Sequence, residues 1–200
     1  MMDALPFSKA CENNKLPIFG VLEKHLAGFS TLLEIAGGTG QHAVFFAEQL
    51  PGLHWQSTDI PSNVDSLNLR ITAAELGNLP PAVSLDVNHR PWQVDSFDSV
   101  FSANSLHIMS AGSVENFFAE VGNHCVYDGK LMVYGPFKYG GEFTTASNAS
   151  FDLWLKERDP VSGIRDMEWV NELADKAGFE FIEDNAMPAN NQLLVWRKAS

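Results

Sequence analysis

The chain has 200 residues and a formal net charge of −12, since 25 Asp and Glu residues outnumber 13 Lys and Arg residues. Hydrophobic residues make up 45% and charged residues 19% of it, which is the composition of a globular protein rather than of a disordered one. One domain of ordinary size is therefore expected over residues 1–200. So acidic a chain, with no run of three Lys or Arg residues, is a poor partner for nucleic acid and for anionic membranes.

The cysteines and the N-terminal segment predict a location in the cell. Cys11 and Cys125 have no metal-ligand spacing and are too few for a disulfide scaffold. The segment MMDALPFSKACENN has neither the basic region nor the apolar region of a signal peptide. No apolar run approaches the roughly 18–20 residues that span a bilayer. We expect a cytoplasmic protein with free thiols, no bound metal and no membrane partner.

Short apolar runs alternate with amphipathic segments of helical length, which is typical of an α/β sheet with mostly parallel strands. The pattern predicts helices over 17–27, 41–50, 64–76, 114–125, 151–158 and 167–177. It predicts strands over 31–35, 54–58, 82–85, 99–103, 130–134, 179–183 and 193–197, and loops over 135–149 and 185–192. The sum is a seven-stranded, mostly parallel sheet with helices on both faces and a C-terminal antiparallel hairpin.

The strongest single feature is the segment LLEIAGGTGQHA, in which a buried strand runs into Ala36, Gly37, Gly38 and Gly40 before a helix begins. Glycines there allow a sharp turn and the close approach of a ligand. Residues 38–43 also satisfy the dinucleotide pattern G-x-G-x-x-G/A, which alone is weak evidence. Glu34 adds information, because a carboxylate in an apolar strand must face a polar cavity or carry a large desolvation cost. Such a charge would repel phosphates and favour a cationic ligand.

Two further carboxylates follow the next two predicted strands. Asp59 comes nineteen residues after Gly40, where it can accept two hydrogen bonds from ribose hydroxyls. Asp86 follows the third strand, where it can accept a hydrogen bond from the exocyclic amine of adenine. Carboxylates at three successive strand ends describe a site for a nucleoside that carries positive charge and no phosphate. S-adenosylmethionine has these properties.

The segments LLEIAGGTGQHA, STDI and LDVN resemble the first three motifs of class I S-adenosylmethionine-dependent methyltransferases. Longer blocks resemble one small family of methyltransferase-like proteins of unknown function: SKACENNKLPI, EIAGGTGQHAVFFA, WQSTD, ANSLHIM, YGPFKYGGEFTTASNASFDLWLKERDP, GIRD and MPANNQLLVW. The resemblance covers essentially the whole chain and implies a Rossmann-like fold. It implies that the glycine loop binds the adenosyl cofactor, that Asp59 contacts the ribose and that Asp86 and Val87 contact the adenine.

One departure from the wider class is Ala36, which stands where the first loop glycine is usual and is small enough for binding to survive. The family resemblance also favours an N-terminal segment SKACENNK that folds over the cofactor rather than one that is a solvated helix start. The residues expected to bind the cofactor are Asn14, Glu34, Ala36, Gly37, Gly38, Gly40, Asp59, Ile60, Asp86, Val87 and Asn104.

The acceptor side of the site is predicted from the segments that follow the fourth and fifth strands. His107 can act as a general base for an O–H or N–H nucleophile, since imidazole titrates near neutrality. The alternative is that His107 only caps a loop or packs on the cofactor. The Asn-Pro-Pro-aromatic motif of the methyltransferases that modify amide and nucleic-acid nitrogens is absent from the sequence.

Residues 135–150 are glycine-rich and aromatic, and we interpret them as a substrate lid with a hinge at Gly140 and Gly141. The aromatic residues expected to wall or orient a small acceptor are Tyr134, Phe137, Tyr139 and Phe143. The alternative is a surface loop whose aromatic residues pack into the core. The MPANN segment in the terminal hairpin either borders the same pocket or is a plain turn.

The sequence as a whole predicts transfer of a methyl group from S-adenosylmethionine to a small molecule. The domain would comprise an N-terminal cap and helix (1–28), a cofactor-binding core (29–134), a lid (135–158) and a C-terminal helix and hairpin (159–200). Two alternatives stay open. One is a nicotinamide-dependent oxidoreductase, against which Glu34 and the lack of a separate substrate domain count. The other is a non-catalytic S-adenosylmethionine-binding protein. The oligomeric state is not predicted.

Overall fold

A computed structural model describes residues 5–199. The helices are α1 (Lys9–Leu26), α2 (Gln41–Gln49), α3 (Pro61–Ala74), α4 (Ala111–His124), α5 (Ala146–Arg158) and α6 (Met167–Lys176). The strands are β1 (Thr31–Ile35), β2 (His54–Asp59), β3 (Val83–Ser84), β4 (Phe97–Ala103), β5 (Cys125–Gly135), β6 (Phe137–Tyr139), β7 (Glu142–Phe143), β8 (Arg165–Asp166), β9 (Phe179–Met187) and β10 (Asn191–Lys198). A 3-10 turn over Pro188–Asn190 joins the last two strands.

The central sheet has seven strands in the order β3-β2-β1-β4-β5-β10-β9. Strands β1 to β5 pair in parallel, and β10 pairs antiparallel with both β5 and β9. The predicted fold is therefore confirmed, including the C-terminal hairpin. The chain runs outward from β1 to β3 on one side and crosses to β4 on the other, so the topological switch point lies between β1 and β4, where α/β sheets bind ligands.

Alternating strand residues bury the two faces of the sheet. Leu33 and Val100 point to one face, where they pack with residues of α4 and α6. Leu32 and Phe101 point to the opposite face, where they pack with residues of α1, α2 and α3. The period of two in these strands therefore produces two separate apolar cores, with the sheet between them.

The first helix is longer than predicted. It begins at Lys9, because Ser8 Oγ accepts a hydrogen bond from the backbone N–H of Cys11 at 3.3 Å and caps the helix. Pro17 lies inside this helix and not at its first position, so the predicted start at residue 17 is wrong. The proline removes one backbone donor, a cost outweighed by the complete burial of Ile18 and Leu22.

The prediction of a loop over residues 135–149 is also wrong. Strands β6 and β7 form a hairpin around Gly140 and Gly141, and β6 pairs in parallel with β8 to give a second sheet in the order β7-β6-β8. Helix α5 begins at Ala146, since Thr145 Oγ1 accepts from the backbone N–H of Asn148 at 3.2 Å. The remaining part of the predicted loop is short.

Strand β5 begins five residues before its predicted start, and its ladder with β4 is interrupted after Cys125, since Phe97 pairs with Cys125 but Ser99 pairs with Lys130. Asp128 has a φ of 65°, and a Cβ on Gly129 would lie 2.6 Å from the carbonyl oxygen of Asp98. The glycine is thus required by the close approach of β4 and by the carbonyl oxygen of Val126, which would lie 2.8 Å from the same Cβ. In the described part of the chain, no helix has the length and apolar character needed to cross a membrane.

Candidate functional site

A cavity of about 560 Å³ lies at the carboxyl ends of β1, β2 and β4, beside the switch point of the sheet. Seven of the residues predicted to bind the cofactor line it: Ala36, Gly38, Asp59, Ile60, Asp86, Val87 and Asn104. Four others do not: Asn14, Glu34, Gly37 and Gly40. The structure therefore brings together most of the predicted site in one place, although binding itself stays a prediction.

The glycine loop turns tightly above the end of β2. The backbone N–H of Gly37 donates to the carbonyl of Thr58 at 2.8 Å, and a Cβ on Gly37 would overlap Ser57 Oγ. Gly38 has a φ of 58° and Gly40 one of 74°. Ala36 has a φ of 62°, so an L side chain occupies a left-handed position here, which is strained. The loop conformation is thus restricted by the close approach of Ser57 to Gly37 and by the left-handed backbone at Ala36, Gly38 and Gly40.

Glu34 lies beneath the loop and not in the cavity. It is 2% exposed, and its Oε2 accepts from Trp55 Nε1 at 3.0 Å and from Ser57 Oγ at 2.6 Å. Burial raises the pKa of Glu34 to about 7, and the charge of Asp59 adds to the increase. Of the two possibilities that the sequence analysis gave for Glu34, the structure shows the second. The carboxyl group does not face the cavity and carries a desolvation cost.

Asp59 at the end of β2 is already bound by three protein donors. Its Oδ2 accepts from the backbone N–H of Gly38 at 2.7 Å, and its Oδ1 accepts from the backbone N–H of Ile60 at 2.8 Å and from Asn63 Nδ2 at 3.0 Å. A carboxylate offers about four lone-pair positions. One position on Oδ2 stays open to a ligand in this arrangement, fewer than the two that the sequence analysis assigned to ribose hydroxyls.

Asp86 is held by the turn that follows β3. Its Oδ1 accepts from the backbone N–H of Asn88 at 2.9 Å, and its Oδ2 lies 3.2 Å from His89 Nδ1. The neighbouring Val87 is buried and lines the same cavity. A carboxylate fixed in this way beside an apolar side chain suits a flat base that carries an amine.

His107 lies in the segment between β4 and α4, behind the wall of the cavity. It is 6% exposed and packs edge-on against Phe151, with 5.5 Å between the ring centroids. No hydrogen bond to its ring nitrogens is present within residues 5–199. Burial, together with the charge of Arg165, lowers the pKa of His107 to about 4, so the imidazole is neutral at pH 7. A neutral imidazole can accept a proton, but a pKa this far below neutrality makes it a weaker base than the near-neutral imidazole that the sequence analysis assumed.

Asn14 and Tyr134 belong to the core between α1 and the sheet. Asn14 Oδ1 lies 2.7 Å from Nε2 of His42, and burial lowers the pKa of this histidine to about 4. Tyr134 is 2% exposed, and burial raises the pKa of its hydroxyl. The contact between Asn14 and His42 joins α1 to α2.

The other predicted pocket residues do not converge on the cavity. Phe137 is buried in the core on the opposite face from Tyr134. Tyr139 donates its hydroxyl to Asp184 at 2.6 Å, and the Lys138 ammonium lies 5.6 Å from the ring centroid of Phe143. The role of these aromatic residues in an acceptor pocket stays a prediction.

The sequence analysis missed a contact between the N-terminal segment and the glycine loop. Gln41, the first residue of α2, accepts from the backbone N–H of Ser8 at 2.5 Å and donates to Glu12 Oε1 at 2.7 Å. Arg70 donates to the carbonyl of Thr39 at 2.8 Å and to that of Pro6. The segment SKACENNK therefore lies directly beside the loop.

Other residues that line the cavity were also missed. They are Ile35, Asn63, Leu85, Asn88, Ala103, Ser105, Ile108, Met109, Ser110, Ser113, Asp159 and Val161. Asp159 and Val161 come from the segment after α5, about 120 residues beyond the glycine loop, and no local pattern marks them. Among the described residues, no three His, Cys, Asp or Glu side chains are grouped so that they could hold a metal ion.

Solved structures of similar fold include S-adenosylmethionine-dependent methyltransferases. An O-methyltransferase family protein from Burkholderia thailandensis matches 93% of this chain with a TM-score of 0.82 and 19% identity, and 56% of its own length is covered. Human N-acetylserotonin methyltransferase, solved in complex with SAM, matches 96% of the chain with a TM-score of 0.80 and 18% identity, and 53% of its length is covered. The chain thus spans little more than half the length of these proteins, and the similarity shows a shared fold.

A putative O-methyltransferase from Nostoc punctiforme matches 94% of the chain with a TM-score of 0.81 and 16% identity, over 56% of its own length. The family described as "Protein of unknown function (DUF938)" matches residues 5–198. That match covers nearly all of the sequence.

Proposed function

From the residues that line its cavity, we propose that this chain, which belongs to the DUF938 family, is an S-adenosylmethionine-dependent methyltransferase that acts on a small molecule. The observation that carries this proposal is the charge of the cavity. Among the described residues that line it, Asp59, Asp86 and Asp159 are acidic, and none is Lys, Arg or His. Such a lining repels phosphates and favours a cationic nucleoside.

The residues present fit this cofactor. Asp59 offers its open Oδ2 position to a ribose hydroxyl, Asp86 can accept from an adenine amine, and Val87 supplies an apolar contact. The cavity of about 560 Å³ is within the range of small-molecule sites, about 300–1,000 Å³. When bound, the cofactor supplies a methyl group on a sulfonium. The folds of the O-methyltransferases described above support the same assignment.

The protein's own contribution to the reaction would be mainly positioning and the exclusion of water. His107 is proposed as the group that accepts the proton of an acceptor hydroxyl, because its imidazole is neutral and its loop forms part of the cavity wall. The net charge of −12 favours a small molecule over nucleic acid as the acceptor. A cytoplasmic location is part of the same proposal.

Calorimetric titration with S-adenosylhomocysteine and with NAD tests the cofactor assignment. We expect S-adenosylhomocysteine to bind with a micromolar dissociation constant and to be displaced by S-adenosylmethionine, and we expect no heat from NAD. Binding of NAD without binding of S-adenosylhomocysteine would instead support the nicotinamide-dependent oxidoreductase. The acidic lining is the reason to expect the first result.

An acceptor screen with labelled S-adenosylmethionine then separates an enzyme from a non-catalytic binding protein. Once an acceptor is found, His107→Gln is expected to bind S-adenosylhomocysteine normally and to lower turnover by about 10²–10⁴-fold, the usual effect of removing a general base. Unchanged turnover in this variant would remove His107 from the reaction but leave the cofactor assignment intact.

A further inference from the structure

The loop that carries His107 is held through its backbone carbonyls by one short segment. Here residues 105–110 are called the His107 loop, and residues 161–165, which follow α5, are called the clamp segment. The clamp segment donates hydrogen bonds to four successive carbonyls of the His107 loop. These are Arg165 Nε to Leu106 O at 3.1 Å, Gly163 N to His107 O at 2.9 Å, Ser162 Oγ to Ile108 O at 2.9 Å, and Arg165 Nη2 to Met109 O.

The clamp segment is itself fixed to α5 and to the small sheet. The backbone N–H of Ile164 donates to Asp152 Oδ1 at 2.7 Å, and Asp152 is 3% exposed. A Cβ on Gly163 would lie 3.0 Å from the same carboxylate oxygen, so a larger residue would disturb this contact. Arg165 also pairs with Phe137 in the parallel ladder of β8 and β6. The donors that face the His107 loop therefore project from a rigid support.

Both segments contribute to the cavity. Ile108, Met109 and Ser110 of the His107 loop line it, and so does Val161 of the clamp segment. Any shift between the two segments would therefore move one wall of the cavity as well as the imidazole. The same four carbonyls lose their partners if the clamp opens, which is costly for backbone groups that are partly buried.

We propose that Arg165 is a positioning residue, whose guanidinium bridges the two ends of the His107 loop and holds His107 at the wall of the cavity. The guanidinium is suited to this task because it presents several N–H donors in a fixed planar fork, whereas a lysine ammonium is a point charge. It spans the carbonyls of Leu106 and Met109 and also donates to that of Val161 at 2.9 Å. This role rests on the proposed function only in so far as His107 takes part in methyl transfer.

Hydrogen exchange on the free protein tests the positioning directly. Arg165→Gln removes the fork, and we expect amide exchange in residues 105–110 to become about tenfold faster or more, since hydrogen bonds to a charged group are lost. Arg158→Gln is the matched control, because Arg158 lies at the end of α5, where its guanidinium is 3.9 Å from the ring centroid of Trp154. The control is expected to leave exchange in residues 105–110 unchanged.

Titration of His107 by NMR is a second readout, and comparing two variants separates the charge of Arg165 from the packing of the loop. Burial lowers the pKa of His107 and the positive charge of Arg165 lowers it further, so Arg165→Gln, which removes the charge and loosens the loop, is expected to shift the titration of His107 upward. Arg165→Lys keeps the charge but not the fork, and is expected to loosen the loop while shifting the titration less. If Arg165→Gln does not fold, Ser162→Ala removes a single donor and is expected to speed exchange in the same loop.

Wild-type exchange in residues 105–110 together with a wild-type His107 titration, in folded Arg165→Gln and in Arg165→Lys, would overturn the proposal. Neither measurement needs cofactor or acceptor. Failure of S-adenosylhomocysteine to bind the wild-type protein would count against the proposed function and would leave the positioning by Arg165 untouched. The two failures are therefore distinguishable.

Discussion

The backbone N–H of Gly38 donates a hydrogen bond to Asp59 Oδ2 over 2.7 Å, and this contact joins the glycine loop to the end of the second strand. Asp59 therefore has two tasks. It holds the loop in its left-handed turn, and it presents the remaining lone pair of the same oxygen to the cavity. Substitutions at this residue are expected to affect the shape of the loop as well as direct contacts with a ligand.

Asp59→Asn is expected to weaken S-adenosylhomocysteine binding by about 1–3 kcal/mol, nearly as much as Asp59→Ala. An asparagine oxygen can replace Oδ1, which accepts from Ile60 and Asn63, but its NH₂ group would then face the N–H of Gly38. Two donors in contact would displace the loop. Calorimetric titration measures the change, with the exposed Asp65→Asn as the control that removes the same charge from α3. Equal affinity of Asp59→Asn and wild type would show that the carboxylate does not contact the ligand.

The positions of the strand-end carboxylates could be predicted from sequence because they depend on local pattern. Buried parallel strands are short apolar runs, and the residue that follows each run lies at one edge of the sheet. Asp59 and Asp86 were placed in this way, and both line the cavity. The direction of Glu34 could not be predicted, since it depends on Trp55 and Ser57 of the neighbouring strand.

Ala36→Gly is expected to stabilise the protein by about 0.5–1 kcal/mol. Ala36 has a φ of 62°, and the left-handed region costs an L residue about 1–2 kcal/mol. The larger conformational freedom of glycine in the unfolded chain offsets part of this gain. Denaturant unfolding measures the difference. The control Ala73→Gly lies on the exposed side of α3 and is expected to destabilise by about 0.5–1 kcal/mol. A destabilised Ala36→Gly would mean that the Ala36 methyl group makes packing contacts that outweigh its strain.

Glu34→Gln is expected to change how stability depends on pH. Burial raises the folded-state pKa of Glu34 from 4.5 to about 7. The contribution of the protonated side chain to the free energy of unfolding is therefore fully present below pH 4.5 and is lost as the pH rises through about 7. The variant cannot ionise at this position. Relative to wild type, it should therefore gain up to about 3 kcal/mol between pH 4.5 and 8, since one pKa unit corresponds to about 1.4 kcal/mol.

Thermal and denaturant unfolding at pH 4.5, 6 and 8 would measure that change. The absolute stability of Glu34→Gln at one pH is less informative, because the new NH₂ group is a donor that finds no acceptor at this position. The wild-type carboxylate has no such donor. Glu115→Gln, which alters a glutamate on α4, is the control for the general effect of removing one negative charge. A difference between Glu34→Gln and wild type that is the same at all three pH values would show that folding does not raise the pKa of Glu34.

Some of the residues that sequence reasoning missed are brought to the site by distant parts of the chain, as Asp159, Val161 and Arg165 are. Arg165 reaches the His107 loop from a two-residue strand, and nothing in the sequence near it indicates that contact. The substrate lid was inferred from the local composition of residues 135–150, but composition does not show that Phe137 enters the main core. The position of Arg165 and the burial of Phe137 both depend on packing between residues that are distant in the sequence.

Phe137→Ala is expected to destabilise the protein by about 3–5 kcal/mol, the usual cost of truncating a buried phenylalanine. Its side chain is 2% exposed and packs in the core shared by α4 and α6. Phe143→Ala is the matched variant from the same hairpin, and its half-buried side chain should cost much less. Denaturant unfolding of the two variants compares them. Similar small losses in both would place Phe137 in a mobile lid instead of the core.

The exchange of backbone amides is expected to divide the segment 135–150 into two parts. Amides of Phe137–Tyr139 should exchange slowly in the free protein, because this strand is paired on both sides, with β7 and with β8. The tip around Gly140 and Gly141 should exchange fast, since its bonds to Glu168 and Asp166 are exposed to solvent. Hydrogen exchange with mass spectrometry resolves the two parts, and S-adenosylhomocysteine is expected to change neither. Fast exchange over Phe137–Tyr139 that slows when a ligand binds would instead establish the whole segment as a lid, because a strand paired on both sides cannot open without breaking both ladders.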